Sequence, residues 1–181
     1  MTLDILDTKL GRLILIASKG ELVYCNWNEP ECERKLEKVL KFQTQLEKFE
    51  NIEGEYERDL IPENHDKEII LLAKKELKEF FSGRRKIFTV KTGCSGTDFQ
   101  KRVWCELSKL AYGEKTTYKK IGERIGNIKG VRAVAAACGA NPVAIIIPCH
   151  RVLGSNGEIG GYTGGILKKK ALLEIEKAGN E

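Results

Sequence analysis

Cys149 and His150 are neighbours in Pro148-Cys149-His150-Arg151, directly after the apolar run Val143-Ala144-Ile145-Ile146-Ile147. A free thiol is only a few per cent thiolate at neutral pH, so a nucleophilic cysteine needs an activating group, and an imidazole supplies one. The β-branched run, stopped by proline, predicts a buried strand that delivers both groups to a loop. Taken alone, the tetrapeptide fits an inert buried cysteine beside a structural histidine equally well.

The elements around this pair narrow the chemistry. The spacing predicts a helix from Phe99 to Leu110, capped by Thr97 or Asp98, with Phe99, Val103, Leu107 and Leu110 on one face. Thr116-Thr117 caps a second helix, Tyr118 to Ile125, which Gly126-Asn127 stops, and a third runs from Val131 to Cys138. Two short helices joined by a tight glycine-containing turn outline a helix-turn-helix unit; an ordinary αα-hairpin is the plainer alternative. Lys119, Lys120, Arg124 and Lys129 supply charge for DNA phosphates. In the third helix Arg132 is the only long polar side chain among Ala133, Val134, Ala135, Ala136 and Ala137, too few to read major-groove base edges. So bare a helix can approach a backbone closely in a narrow groove, with Arg132 as a wedge in the base stack. Alanine is also simply a good helix former.

The first half reads as support. Residues 3–27 predict a hairpin or meander with a turn at Lys19-Gly20, and Glu31 to Leu46 a charged helix. Residues 50–62 read as an acidic surface loop, and Pro62 opens a helix whose stripe runs through Ile69, Leu72, Ala73, Leu77 and Phe80. A short strand, Ile87 to Val90, precedes a linker, Lys91 to Asp98. The expectation is an α/β (α+β) fold in two domains. Residues 1–90 form a small α/β scaffold with an antiparallel sheet. Residues 91–181 form a mostly helical DNA-binding domain, with the helix-turn-helix and a short strand carrying Cys149.

With 181 residues, 41% hydrophobic and 31% charged, the composition is that of a globular protein. The net charge of +5 permits an anionic partner without demanding one, but the excess is concentrated after Ser82, while Glu29 to Asp66 is acidic. No basic leader and no apolar run of ~18 residues is visible, so a cytoplasmic protein with no membrane contact is expected. The six cysteines are then reduced thiols. With no Cys-x-x-Cys pair and two histidines, no metal is expected; Cys25, Cys32 and His65 are the weak alternative.

Pro148-Cys149-His150-Arg151 resembles the signature of the O6-alkylguanine-DNA alkyltransferases, or methylated-DNA–protein-cysteine methyltransferases. The resemblance extends through Gly96-Thr97-Asp98-Phe99-Gln100, Val103-Trp104, Tyr112-Gly113-Glu114, Thr117-Tyr118, Val131-Arg132-Ala133-Val134, Ala140-Asn141-Pro142 and Gly160-Gly161-Tyr162-Thr163-Gly164-Gly165. It is nearly continuous from Gly96 to Glu176 and looser before that, where Leu10-Gly11-Arg12-Leu13 and a hairpin are similar to the family's small α/β domain.

What the resemblance implies is single-use repair, in which O6-alkylguanine in duplex DNA is flipped out and its alkyl group passes to Cys149. It leaves open whether O4-alkylthymine is also a substrate. By the same resemblance Cys149 is the acceptor, and His150, through a water and Glu176, takes the thiol proton. Tyr118 donates to the guanine ring, Asn141 ties the recognition helix to the active-site strand, and Arg132 fills the gap left by the flipped nucleotide. Tyr162, Thr163 and Gly164, with Val152, contact the substrate; Thr117 and Ala133 join Arg132 and the four basic residues on the DNA. A monomer without cofactor suffices for this chemistry. The sequence departs from some relatives at Ala144, where they carry proline, and Cys138 is expected to be a packing residue. A thiol hydrolase and a non-catalytic DNA-binding module are the competing readings. The first leaves the helix-turn-helix unit unused and the second leaves Cys149 unused.

Overall fold

Strand β1 (Thr2–Thr8), β2 (Gly11–Ser18) and β3 (Glu21–Trp27) form an antiparallel meander in the order β1-β2-β3. The β2–β3 connection is the two-residue loop Lys19-Gly20, with φ of 54° and 76°. Positive φ at both loop positions gives a hairpin turn whose twist matches that of the strands. The structure is a computed structural model that describes residues 1–53 and 64–179, with side chains of 42–53 excluded.

Two helices cover the sheet. Helix α2 (His65–Phe81) buries Ile69, Ile70, Ala73, Leu77, Phe80 and Phe81 in one cluster with Leu6, Leu13 and Leu15. Helix α1 (Pro30–Glu53) lies on the opposite face, where Val39 packs with Ile16, Val23 and Tyr24. It is longer than the expected Glu31 to Leu46, because residues 47–53, the last four of them expected as loop, continue the helix. Residues 54–62, expected as a loop, and the helix start expected at Pro62 lie outside the described residues.

The expected strand Ile87 to Val90 does not form. The Thr89 and Val90 amides donate to the buried Glu76 carboxylate at 3.0–3.1 Å, so a side chain satisfies groups that a strand partner would otherwise take. The following linker is tied to β3: the Leu22 amide donates to the Lys91 carbonyl (2.8 Å), and that of Gly93 to the Leu22 carbonyl (3.1 Å).

Helix α3 (Asp98–Ser108) begins with a capping box, in which Gln100 N–H donates to Thr97 Oγ1 and Thr97 N–H to Gln100 Oε1. It packs against both α4 (Tyr118–Arg124) and α5 (Val131–Gly139), and Trp104 Nε1 fastens it to the Ala137 carbonyl at 2.9 Å. Gly126 (φ 73°) turns the chain after α4, and Gly122 lets the Asn127 backbone approach so closely that a Cβ would lie 2.9 Å from its carbonyl oxygen. These two glycines make the helix-turn-helix turn. Strand β4 (Thr116–Thr117) pairs in parallel with β5 (Val152–Leu153), and α6 (Ile166–Ala178) closes the described chain. One apolar cluster runs from Leu6 of the sheet to Leu172 of α6. No helix among the described residues is long and apolar enough to cross a membrane.

Candidate active site

The run Val143 to Ile147 is buried as expected except at the partly buried Ile146, but it coils instead of extending. Only Val143 bridges to β3: Ala144 N–H donates to the Cys25 carbonyl (2.7 Å) and Cys25 N–H to the Pro142 carbonyl (2.9 Å). Ile145 then takes φ of 73° while Ile146 N–H reaches the Ala144 carbonyl at 2.9 Å, which makes a γ-turn at a β-branched residue. Such a turn is strained and persists only where its surroundings over-determine it. Asn141 provides that restraint. Its Oδ1 accepts from Val143 N–H (3.0 Å) and its Nδ2 donates to the Ile147 carbonyl (2.8 Å), replacing the ladder a strand would need. A continuous apolar run signals burial, whereas the choice of strand or coil lay with a partner six residues away.

Cys149 therefore emerges from a coiled segment into a single 3₁₀ turn, Cys149–Arg151. Asn141 Nδ2 also donates to Cys149 Sγ at 3.3 Å. Burial pushes the thiol pKa up, while the Asn141 hydrogen bond and the Lys35 and Lys169 ammonium groups oppose that rise. The resting sulfur is a protonated thiol.

Next to it, His150 is fully buried, and its Nε2 meets Glu176 Oε1 of α6 at 2.9 Å. Burial would raise the Glu176 pKa, but hydrogen bonds from His150 and Arg151 hold it below the usual carboxylate range. An ionised Glu176 fixes the tautomer with the proton on Nε2, leaving Nδ1 as an acceptor. That Nδ1 is buried and has no hydrogen-bond partner among the described residues. Burial also holds His150 below its ordinary pKa despite Glu176, so the imidazole rests neutral, ready to take a proton.

Tyr118, Ala135, Cys138, Gly139, Cys149, Gly161, Tyr162 and Thr163 line a cavity of about 300 Å³ beside α5. Burial pushes the Tyr118 hydroxyl pKa up to about 12, so it remains a proton donor throughout the neutral range. The loop 160–165 forms the far wall. Thr163 Oγ1 donates to the Gly139 carbonyl (3.0 Å), and Trp27 Nε1 donates to the Tyr162 hydroxyl (3.3 Å).

Most of the residues singled out in the sequence come together here. Cys149, Tyr118, Tyr162 and Thr163 line the cavity, with Asn141 hydrogen-bonded to the thiol and the paired His150 and Glu176 buried next to it in the chain and on α6. Val152 and Gly164 do not line it. Val152 is buried in β5, where its carbonyl accepts from Lys169 Nζ at 2.7 Å, and Gly164 packs against Trp27. Cys138 lines the cavity as well as packing in the core. Arg132, Ala133, Lys119, Lys120, Arg124 and Lys129 are exposed on the helix-turn-helix unit, and Thr117 caps α4 by accepting from Lys120 N–H. Cys25, Cys32 and His65 form no cluster: among the described residues no three potential ligands could hold a metal ion.

Sequence reasoning passed over Arg151, Lys169, Lys35 and Trp27. Arg151 lies inside the quoted tetrapeptide, yet only the fold reveals its grip on Glu176. Lys169 looks like surface charge in Lys168-Lys169-Lys170, although helical spacing puts it with Leu172, Leu173 and Glu176 on the buried face. That periodicity could have found it.

Fold and site together define a helix-turn-helix protein with a buried thiol, backed by a histidine–carboxylate pair, at the floor of a cavity. The chain belongs to the 6-O-methylguanine DNA methyltransferase family, whose DNA-binding-domain model matches residues 98–178. It is 48% identical over 104 residues to a methylated-DNA–protein-cysteine methyltransferase of Methanosarcina acetivorans, a match covering 58% of this chain and 67% of that protein. A Mycobacterium bovis protein of the same name is 48% identical over 103 residues, 57% of this chain and 62% of its own length. The fold is similar to that of Mycobacterium tuberculosis OGT in complex with DNA, with a TM-score of 0.73 and 33% identity across 97% of this chain and 92% of that one.

Proposed function

We propose that this protein repairs DNA by moving the alkyl group of O6-alkylguanine onto Cys149, once per molecule. The observation that carries this reading is a buried, amide-held thiol lining a cavity, followed in the chain by a buried, neutral His150 paired to Glu176. The names of the relatives support it.

The chemistry follows from the groups present. The thiol proton leaves through a water to His150 Nδ1, and Glu176 stabilises the imidazolium. The sulfur attacks the alkyl carbon, a new S–C bond forms, and the C–O6 bond breaks with its electron pair passing to the guanine. Tyr118 gives a proton to the guanine ring as that charge develops. The product is a thioether, which water does not cleave, so the site is spent.

A target atom inside a base stack requires nucleotide extrusion, at roughly a few kcal/mol. Arg132 fills the vacated position, and α5 offers Ala133 and Ala136 as a low outer face that lets the duplex come close. Lys119, Lys120, Arg124 and Lys129, with the Thr117 cap, hold phosphates and fix the register. The protein acts as a cytoplasmic monomer without a cofactor, its binding domain spanning 91–181 and its support 1–90.

Intact-protein mass spectrometry after mixing with a duplex holding one O6-methylguanine tests this. A gain of one methyl group mapped to Cys149, saturating at one per chain, is the expected result. Repeated turnover of an ester, with no gain, would make it a hydrolase instead.

A further inference from the structure

Lys35 lies on the second turn of α1, in the half of the chain that carries none of the proposed chemistry. Its Nζ donates to the Asn141 carbonyl at 3.2 Å, and Asn26 Nδ2 of β3 donates to the same carbonyl at 3.1 Å. The side chain of that same Asn141 holds the Cys149 sulfur. One residue therefore connects an ammonium group of the first half, through its backbone, to the thiol of the second, through its side chain. Burial lowers the Lys35 pKa, the opposing influences are Cys149 and Cys32, and no carboxylate among the described residues neutralises it. A half-buried cation without an acidic partner is expensive to keep unless a negative charge arises nearby.

We propose that Lys35 is a positioning residue for the transfer: it anchors the Asn141 backbone that holds the acceptor sulfur, and its ammonium favours the thiolate as the proton leaves. This rests on the alkyl-acceptor reading and gives the first half a part in the chemistry. Besides the His150–Glu176 pair next in the chain, the charged or titratable groups coupled to the sulfur are Lys35 from α1, Lys169 from α6, Cys138 from α5, Tyr118 from α4 and Tyr162 from the loop. Of these, Lys35 and Lys169 are the cations, and they approach from different elements. Lys169 is also committed to the Val152 carbonyl, at 2.7 Å.

The test uses the full chain with Lys35→Met and Lys35→Arg. Methionine keeps the apolar stem and removes the charge and the donor. Three quantities are measured: the pH dependence of Cys149 alkylation by iodoacetamide, followed by peptide mapping; single-turnover methyl transfer from an O6-methylguanine duplex; and the Kd for undamaged duplex. K35M should raise the pH midpoint of Cys149 alkylation by about half to one pH unit and slow methyl transfer roughly 3- to 10-fold at neutral pH. The Kd should stay within about twofold, and K35R should restore both other quantities. An unchanged alkylation profile overturns the proposal, and if transfer slows alongside a weakened Kd, Lys35 is a phosphate contact. Failure of K35R to rescue also overturns it. If the wild type takes no methyl group from DNA, the alkyl-acceptor reading fails separately, while the iodoacetamide profile still decides whether Lys35 governs the thiol.

Discussion

Arg151 binds the Glu176 carboxylate through both Nε and Nη2, at 2.7–3.1 Å, while its Nη1 donates to the Leu110 carbonyl at 2.7 Å. The carboxylate that orients His150 is thus itself held by a residue two positions from Cys149. Replacing Glu176 with glutamine removes the charge that stabilises the imidazolium and strands Arg151. Methyl transfer should fall by about 10²-fold or more, and the native state should lose about 3 kcal/mol from the uncompensated buried guanidinium. Quench-flow kinetics and chemical denaturation report the two losses independently. A variant as stable and as fast as the wild type would remove this pair from the relay.

Acid should weaken the fold before it reaches the ordinary carboxylate range. His150 is held below its reference pKa of 6.5 by burial, so below that pH the unfolded chain takes up a proton the native state resists. Its contribution is fully present above about pH 6.5 and is lost as the pH falls. Glu176, also held below its reference value of 4.5, adds to the loss in the same direction below that pH. Denaturation midpoints measured from pH 7.5 to 5.5 should therefore decline, and the decline should shrink in His150→Gln. A flat profile for the wild type would contradict a neutral buried imidazole.

Tyr118 retains its proton because burial pushes its pKa up to about 12. Tyr118→Phe keeps the ring against the cavity and removes the donor. Transfer from O6-methylguanine should slow by ~10²-fold with duplex affinity nearly unchanged. Titrating both activities at pH 7 checks this, and equal losses in binding and rate would point to a packing role.

Gly164 of the second half packs directly against Trp27 of the first. A Cβ there would lie 2.0 Å from Trp27 Cδ1, so Gly164→Ala forces the indole away from its hydrogen bond to Tyr162. A loss of about 1–3 kcal/mol is expected from overpacking. Trp27→Leu should relieve part of it, giving a positive coupling in a double-mutant cycle. Additive losses would mean that the loop moves instead of the indole.

Arg132→Ala should slow repair in duplex DNA far more than reaction with free O6-alkylguanine, since Arg132 is exposed on α5 and does not line the cavity. Parallel rate measurements on the two substrates decide it, equal loss on both removing Arg132 from nucleotide flipping.

Much of this was legible in the chain itself. Helical periodicity and caps placed α3, α4 and α5 to within a residue or two, because local hydrogen bonding and a one-sided apolar stripe fix such elements from nearby residues. The family resemblance also carried the site: Tyr118, Asn141, Cys149 and His150 each lie in a short matched motif, and Glu176 at the end of the matched stretch. Long-range partners decided the rest. Val143 to Ile147 and Ile87 to Val90 have the composition of strands, but Asn141 and Glu76 satisfied their backbones and kept them coiled. The two-state choice between ladder and side-chain partner depends on groups distant in sequence, which periodicity cannot register. For the same reason only the tertiary structure brought Arg151 to Glu176, Lys169 to Val152, and Lys35 and Trp27 across from the first half. Sequence determined which groups could react; the packing of distant segments decided their protonation and their reach.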